Sequence, residues 1–192
     1  MKLGLPPGAA FYLLVFSIFG SAINLPIKTF YTEGDVFGIR VQDFYGFLYP
    51  IVVWERGRRR TILALNIGGA LVPLTLSAFL ILKFGAIFSW RVLVGISVVT
   101  LVCWKLARPV PGVGIVMPAP IPPIVSALVA TFLGGGNTAA LAYVSGVVGV
   151  LLGADLMNMR KVYRLGAPVV SIGGAGTFDG IFLTGIFSVL LV

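Results

Sequence analysis

Apolar residues occur along the chain in long runs, and polar residues are concentrated in short segments between those runs. A helix that crosses the hydrocarbon core of a bilayer needs about 20 mostly apolar residues. By this measure the runs predict spans at about residues 9–26, 61–82, 84–104, 121–133, 138–157 and 171–192. The pattern therefore predicts an all-α, polytopic membrane helix bundle of about six transmembrane helices. It would form a single transmembrane domain over residues 1–192.

Two kinds of residue interrupt the apolar runs in the second half of the chain. Prolines are concentrated between Pro109 and Pro123, and proline lacks the amide hydrogen that a regular helix requires. We therefore expect a re-entrant or irregular stretch before a short fourth span. Consecutive glycines followed by asparagine at residues 134–137 predict a turn between the fourth and fifth spans.

The segment at residues 28–54 does not fit a complete span. It holds Glu33, Asp35 and Asp43, followed by an aromatic run that ends at Trp54. One interpretation is a short interfacial hairpin or strand pair on the cytoplasmic side, because aromatic residues gather at membrane surfaces. The alternative is a short extra crossing, which would move the N-terminus to the cytoplasmic side.

Charge is scarce and mostly positive. Only 10% of the residues are charged and 58% are hydrophobic, whereas a soluble domain carries about 25% charged residues. The net charge is +8. Basic residues cluster at Arg56–Arg60, at Lys105 and Arg108, and at Arg160–Arg164. Clusters between spans are typical of cytoplasmic loops. The sequence therefore predicts a multi-pass cell-membrane protein whose partners are membrane lipids and not nucleic acid, and it leaves the oligomeric state open.

Several kinds of catalytic chemistry are excluded by absent residue types. The chain has no histidine, and its single cysteine is Cys103 in an apolar run. Nucleophile–histidine pairs, helical zinc-protease motifs and an intrachain disulfide therefore cannot form. We expect no cofactor and no bound metal.

Two aspartates, Asp155 and Asp179, are the only acidic residues after Glu55. A carboxylate within a span is costly and is a functional candidate by default. Asp155 lies five residues before Arg160, about 8 Å along a helix. Asp179 lies 13 residues before Val192, about 20 Å along a helix, which leaves it roughly 10 Å from the cytoplasmic edge. Similar depths on consecutive antiparallel helices predict that the carboxyl groups approach within about 6 Å.

Close carboxylates suit acid–base chemistry. Two such groups cannot both ionise cheaply, so one holds a proton while the other is charged. A pair of this kind activates water without metal, histidine or thiol. Asp155 and Asp179 are therefore the candidate catalytic residues.

Three glycines lie within six residues before Asp179. Gly173, Gly174 and Gly176 weaken a helix at this point, and backbone that is not helical is tolerated in a membrane where it lines a cavity. Together with Thr177 they are candidate substrate-binding residues, because an unwound segment offers hydrogen bonds to an extended peptide. The alternative is that these glycines only permit close helix packing.

Three segments carry a resemblance to a known family. They are Pro109–Gly114, Gly153–Asn158, and Ser171–Gly185, which reads S-I-G-G-A-G-T-F-D-G-I-F-L-T-G. In these segments the chain resembles a family of bacterial and archaeal integral membrane proteins that is defined as a domain of unknown function.

A second resemblance covers residues 144–186 and is to the presenilin and signal peptide peptidase group of aspartyl intramembrane proteases. Those proteins carry one aspartate on each of two consecutive spans, and the resemblance implies that Asp155 and Asp179 are catalytic. Here Gly176-Thr177-Phe178 stands before the second acid, where the family has Gly-x-Gly. The family's Pro-Ala-Leu element resembles Pro118-Ala119-Pro120, although this segment precedes the acids here. The resemblance to this element implies that Pro118 and Pro120 bind substrate.

Three hypotheses follow for the function. The first is an aspartyl intramembrane protease that hydrolyses transmembrane peptides through the aspartate pair. The second is a small proton- or cation-coupled transporter or channel that uses the same acids. The third is a non-enzymatic membrane scaffold in which the acids pair with Arg91, Asn158 or Asn66.

Overall fold

Helices predominate in the fold, as the apolar runs predict. The computed structural model describes residues 2–44, 47–110, 114–133, 135–164, 168–174 and 179–192. The helices are α1 (Pro7–Gly20), α2 (Val72–Phe84), α3 (Ala86–Leu106), α4 (Ile121–Leu133), α5 (Thr138–Val150), α6 (Met159–Arg164) and α7 (Gly180–Leu191). The strands are β1 (Asn24–Phe44), β2 (Phe47–Asn66), β3 (Arg108–Val110), β4 (Gly114–Val116) and β5 (Val169–Ile172). The all-α prediction is therefore too narrow.

A long antiparallel hairpin follows α1. Strands β1 and β2 pair from Asn24 opposite Asn66 to Phe44 opposite Phe47. This confirms a strand pair at residues 28–54 but not a short one, because β2 alone has 20 residues, about 65 Å at the usual rise. Residues 61–66, predicted as the start of the second span, belong to β2. The error arises because an apolar run fits a strand as well as a helix.

The hairpin joins the rest of the fold at its base. Strand β5 pairs in parallel with β2, from Ile62 opposite Val169 to Leu65 opposite Ile172. Of the predicted sixth span at residues 171–192, the described residues Gly180–Leu191 are helical as α7, whereas Ser171 and Ile172 belong to the sheet. The pairing places β5 beside the root of the hairpin.

The proline-rich segment is extended and then helical. Strands β3 and β4 pair antiparallel, with Pro109 opposite Ile115. Pro122 and Pro123 lie in the first turn of α4, where the missing amide hydrogen of proline costs nothing. Helix α4 therefore begins where the predicted fourth span begins, at Ile121.

Helix α5 lies at the centre of the bundle and contacts α2, α3, α4 and α7. Its glycines allow close approach. A Cβ built on Gly149 would lie 2.6 Å from Val99 Cβ of α3, and one on Gly146 would lie 2.8 Å from Thr184 Cγ2 of α7. A turn precedes α5, in which Gly135 and Gly136 have positive φ of 53° and 98°. The predicted turn is confirmed there, while Gly134 lies outside the described residues.

Two helical segments of the described chain are long and apolar enough to cross a membrane. They are Ile67–Phe84, which has 18 residues and includes a π-helical turn at Ile67–Leu71, and Thr138–Lys161, which has 24 residues. The other apolar helices there have 10–17 residues and are Gly8–Gly20, Ile121–Leu133 and Gly180–Leu191. These three are shorter than the roughly 20 residues that a full crossing needs.

A buried asparagine connects the hairpin to the helices. The Asn66 Nδ2 amide donates to the Ser21 carbonyl oxygen (2.7 Å) and to Asn24 Oδ1 (3.0 Å). Its Oδ1 accepts a hydrogen bond from the Gly69 amide at 2.8 Å. One fully buried side chain thus joins the end of α1, the start of β1 and the π-helical turn that begins α2.

We expect Asn66→Ala to lower the free energy of unfolding by about 3 kcal/mol, because it leaves buried backbone groups without partners. The measurement is thermal unfolding of the purified protein in detergent. Asn137→Ala is the matched control, since Asn137 precedes α5 and makes no side-chain cap hydrogen bond. Equal effects of the two substitutions would contradict the connecting role of Asn66.

Candidate active site: two aspartates in one cavity

Asp155 lies in a π-helical segment, Leu151–Leu156, that continues α5. The wider helical turn is seen in the bond from the Met157 amide to the Leu152 carbonyl oxygen at 2.9 Å. Single π-helical turns inside α-helices are frequent at functional sites. Within the described residues, no donor forms a hydrogen bond with the Asp155 carboxylate.

Asn158 holds this segment in shape. Its buried side chain donates to the carbonyl oxygens of Gly153 (3.0 Å) and Ala154 (3.1 Å), which directly precede Asp155. Lys161 Nζ donates to Asn158 Oδ1 at 3.1 Å. Asn158 therefore positions the backbone that carries Asp155 and does not pair with the carboxylate.

The other partners that the scaffold hypothesis assigns to the acids also lie elsewhere. The Asn66 side chain bonds Ser21, Asn24 and Gly69. The guanidinium of Arg91 lies beside the Gly135 turn, since a Cβ built on Gly135 would be 2.2 Å from its Nη1. That turn precedes α5, whereas Asp155 follows it, so Arg91 is at the far end of this helix.

Asp179 is the N-cap residue of α7. Its extended backbone (φ −74°, ψ 152°) directs the carboxylate back onto the helix, where it accepts a hydrogen bond from the Ile181 amide at 3.0 Å. Aspartate is among the favoured residues at this position, because its side chain satisfies an amide that lacks a partner within the helix. The start of α7 thus fixes the direction of this carboxylate.

The two aspartates line the same cavity, which has a volume of about 510 Å³. Both side chains are half-buried. The remaining walls are mostly apolar and come from Ile115, Val116, Met117, Ala119, Pro122, Val150, Ala154, Gly174, Gly180, Leu183 and Thr184. The fold therefore brings Asp155 and Asp179 together, while their separation within about 6 Å stays a prediction.

The predicted substrate-binding glycines have different positions. Gly174 lines the cavity. Gly173 packs away from it, with φ of 73° and a built Cβ 2.5 Å from that of Ala70. Its role is therefore the close packing that the sequence left as an alternative. Gly176 and Thr177 lie outside the described residues.

The predicted prolines flank the cavity and are exposed. The described residues that line it include Ala119 but neither Pro118 nor Pro120. The carbonyl oxygen of Pro118 accepts a hydrogen bond from the Ile121 amide at 3.2 Å, at the start of α4. These prolines lie between the extended segment and the helix, and Ala119 between them lines the cavity.

Sequence reasoning missed most of the cavity wall. Ile115 and Val116 belong to β4 and Met117 follows it, while Leu183 and Thr184 belong to α7. These side chains carry no titratable group. An extended segment between prolines was the one signal for β4, and no spacing rule predicts that it reaches residues 155 and 179.

The chemistry of this site rests on the two carboxylates. No group of three or more His, Cys, Asp or Glu residues capable of holding a metal occurs in the described part of the chain. The cavity offers two acids in apolar surroundings, open enough for water to reach them.

Comparison with known families identifies the family of this chain. The family model described as "Protein of unknown function (DUF1614)" matches residues 18–191, a region that includes both aspartates. The chain belongs to the DUF1614 family. Comparisons with curated proteins and with solved structures give no match. The first resemblance drawn from the sequence, to a domain of unknown function, is therefore confirmed, and function has to be argued from the site.

Proposed function

We propose that this DUF1614 protein is an aspartyl intramembrane protease that hydrolyses membrane-embedded peptides. The observation that carries the proposal is the shared cavity of Asp155 and Asp179. Residues 24 positions apart in the chain meet there between two apolar helices. Carboxylates among apolar walls are costly, and a close pair of them can activate water.

The reaction is hydrolysis of a peptide bond. The charged carboxylate takes a proton from water, and the water oxygen attacks the carbonyl carbon. The protonated carboxyl group donates its proton to the carbonyl oxygen. When the tetrahedral intermediate collapses, the C–N bond breaks and the amine nitrogen takes a proton from one carboxyl group. One hydroxyl group of the intermediate returns its proton to the other carboxylate as the C=O bond forms again. The products are a carboxylic acid and an amine, and no cofactor is consumed.

The hydrogen bonds suggest how the roles divide. Asp179 accepts a bond from the Ile181 amide at the positive end of α7, and both features favour a negative charge there. Asp155 has no such donor among the described residues. We therefore assign the water-activating role to Asp179 and the proton-donating role to Asp155.

An extended peptide fits the site. Strand β4 pairs with β3 on one edge, and in the described residues no strand covers its other edge. Ile115 and Val116 of β4 line the cavity. A substrate backbone that adds to this edge would gain main-chain hydrogen bonds and pass between β4 and the aspartates. The apolar walls favour apolar substrate side chains.

The membrane arrangement belongs to the same proposal. About six helical segments would cross or enter the bilayer, with the hairpin at the cytoplasmic surface. Helix α6, which carries Arg160 and Lys161, contacts β1. We place both basic clusters on the cytoplasmic side, because cytoplasmic segments carry an excess of positive charge.

Cysteine labelling tests this topology. Cys103 is buried, so Cys103→Ser gives a cysteine-free background. We expect Arg58→Cys and Lys161→Cys, at exposed positions, to react with an impermeant maleimide from the cytoplasmic side of inverted vesicles and not from the other side. Labelling from opposite faces would contradict the arrangement.

The activity is tested with purified protein in liposomes. A panel of single-span peptides with apolar or charged residues near the cytoplasmic edge would be incubated with the protein, and products mapped by mass spectrometry. We expect cleavage of apolar sequences at a depth near the aspartates. Proton or cation flux that depends on both acids, with no cleavage of any peptide, would favour the transporter hypothesis.

A further inference from the structure

A second cavity lies on the opposite side of α7 from the aspartates. It has a volume of about 210 Å³ and is enclosed by α1, α2, α5, α7 and the segment before α1. Phe182, Gly185, Ile186 and Val189 of α7 line it, whereas Leu183 and Thr184 line the aspartate cavity. It is smaller than the roughly 300 Å³ at which pockets for drug-sized ligands begin, so it suits one narrow chain.

A tyrosine gives this apolar cavity a polar point. Tyr143 lines it and is 7% exposed. Its ring packs against Gly185, where a built Cβ would lie 2.8 Å from Tyr143 Cε2. Within the described residues, its hydroxyl has no hydrogen-bond partner. The hydroxyl oxygen keeps accessible surface, so it can donate a hydrogen bond to an acceptor oxygen of a ligand in this cavity.

Two lysines lie at one end of the cavity, next to the N-terminal segment that lines this end. Gly4, between the lining residues Leu3 and Leu5, accepts a hydrogen bond from Lys83 Nζ at 2.8 Å. Lys2 Nζ donates to the Leu190 carbonyl oxygen at 3.4 Å, at the end of α7. Both lysine side chains are exposed. The cavity therefore combines an apolar interior with a positive rim.

We propose that this cavity binds one acyl chain of an anionic phospholipid, with the phosphate at Lys2 and Lys83 and an ester carbonyl oxygen at the Tyr143 hydroxyl. The arrangement follows the order of chemical groups in the lipid. Gly185, against which Tyr143 packs, lies five residues before Leu190, about 7 Å along α7. The Tyr143 ring, which packs on Gly185, therefore lies within reach of the end of α7 that Lys2 contacts. The proposal does not depend on proteolysis.

The experiment uses the full chain in detergent and a phosphatidylglycerol that carries a photoreactive diazirine on one acyl chain. We expect crosslinks, mapped by mass spectrometry, at Leu13, Leu76 and Phe182. The affinity, measured by native mass spectrometry, should be about fivefold lower for Tyr143→Phe, which loses one hydrogen bond. Lys83→Gln should also lower it about fivefold.

The controls separate this site from general contact with lipid. Lys105→Gln removes an exposed lysine at the end of α3 and should leave the affinity unchanged. Phosphatidylcholine should bind more weakly than phosphatidylglycerol. Crosslinks found only on outward residues such as Leu93, Leu101 and Phe132, or equal affinity of Tyr143→Phe and wild type, would overturn the proposal. Variants are compared only if they elute as wild type in size-exclusion chromatography.

Discussion

We expect Asp155→Asn and Asp179→Asn each to lower the rate of peptide cleavage by at least about 10³-fold, because each removes a proton-transfer group from one catalytic pair. Asparagine keeps the size and planarity of aspartate but carries no titratable proton. The measurement is the initial cleavage rate of a single-span peptide in liposomes. Expression, insertion and thermal unfolding of the variants should stay close to those of wild type.

The double variant separates shared chemistry from two independent effects. Residues that act as a unit lose activity together, so Asp155→Asn with Asp179→Asn should cost about as much as either change alone. Asp43→Asn in the hairpin is the matched control and should retain full activity. Cleavage that survives either substitution in the pair, or losses that multiply in the double variant, would reject the mechanism.

Most helix positions follow from the sequence because lipid-facing and buried helices are apolar over their whole length. The predicted span at 121–133 has the same bounds as α4, and the one at 138–157 matches α5 with its π-helical extension. Strand was confused with helix at 61–66 and 171–172, where apolar residues pair in the sheet. Hydropathy alone does not separate these structures. The parallel pairing of β2 with β5 joins segments more than 100 residues apart, which local pattern does not encode.

The sequence predicted those residues of the candidate site that belong to residue types scarce in this chain. In a chain with no histidine and six acidic residues, Asp155 and Asp179 stand out, and their depths indicated a shared location. Gly174 followed from its place before Asp179. The β4 wall did not, because Ile115 and Val116 are ordinary apolar residues. Their role depends on β4 lying at the same cavity as the two aspartates, and that requires the fold.

The largest stability effect is expected at Gly68, in the π-helical turn before α2. A Cβ built there would lie 1.8 Å from the Ser17 carbonyl oxygen and 2.4 Å from the Ser21 amide nitrogen. Both contacts are with backbone atoms of the end of α1 and the turn after it, so no side chain can move aside to relieve them. Gly20 is the reciprocal contact, since its built Cβ would lie 3.1 Å from the Gly68 amide nitrogen.

Gly68→Ala should therefore push α1 away from the root of the hairpin and lower the free energy of unfolding by about 3–5 kcal/mol. For a chain of this length we expect a fall in Tm of about 10 °C in detergent. Gly8→Ala is the matched control, because its built Cβ meets only Tyr12 at 3.9 Å and alanine favours helix. The control should be neutral or slightly stabilising. An equal Tm for Gly68→Ala and Gly8→Ala would show that α1 does not pack on the π-helical turn. In that case α1 could not form its wall of the second cavity, which is proposed to bind the acyl chain.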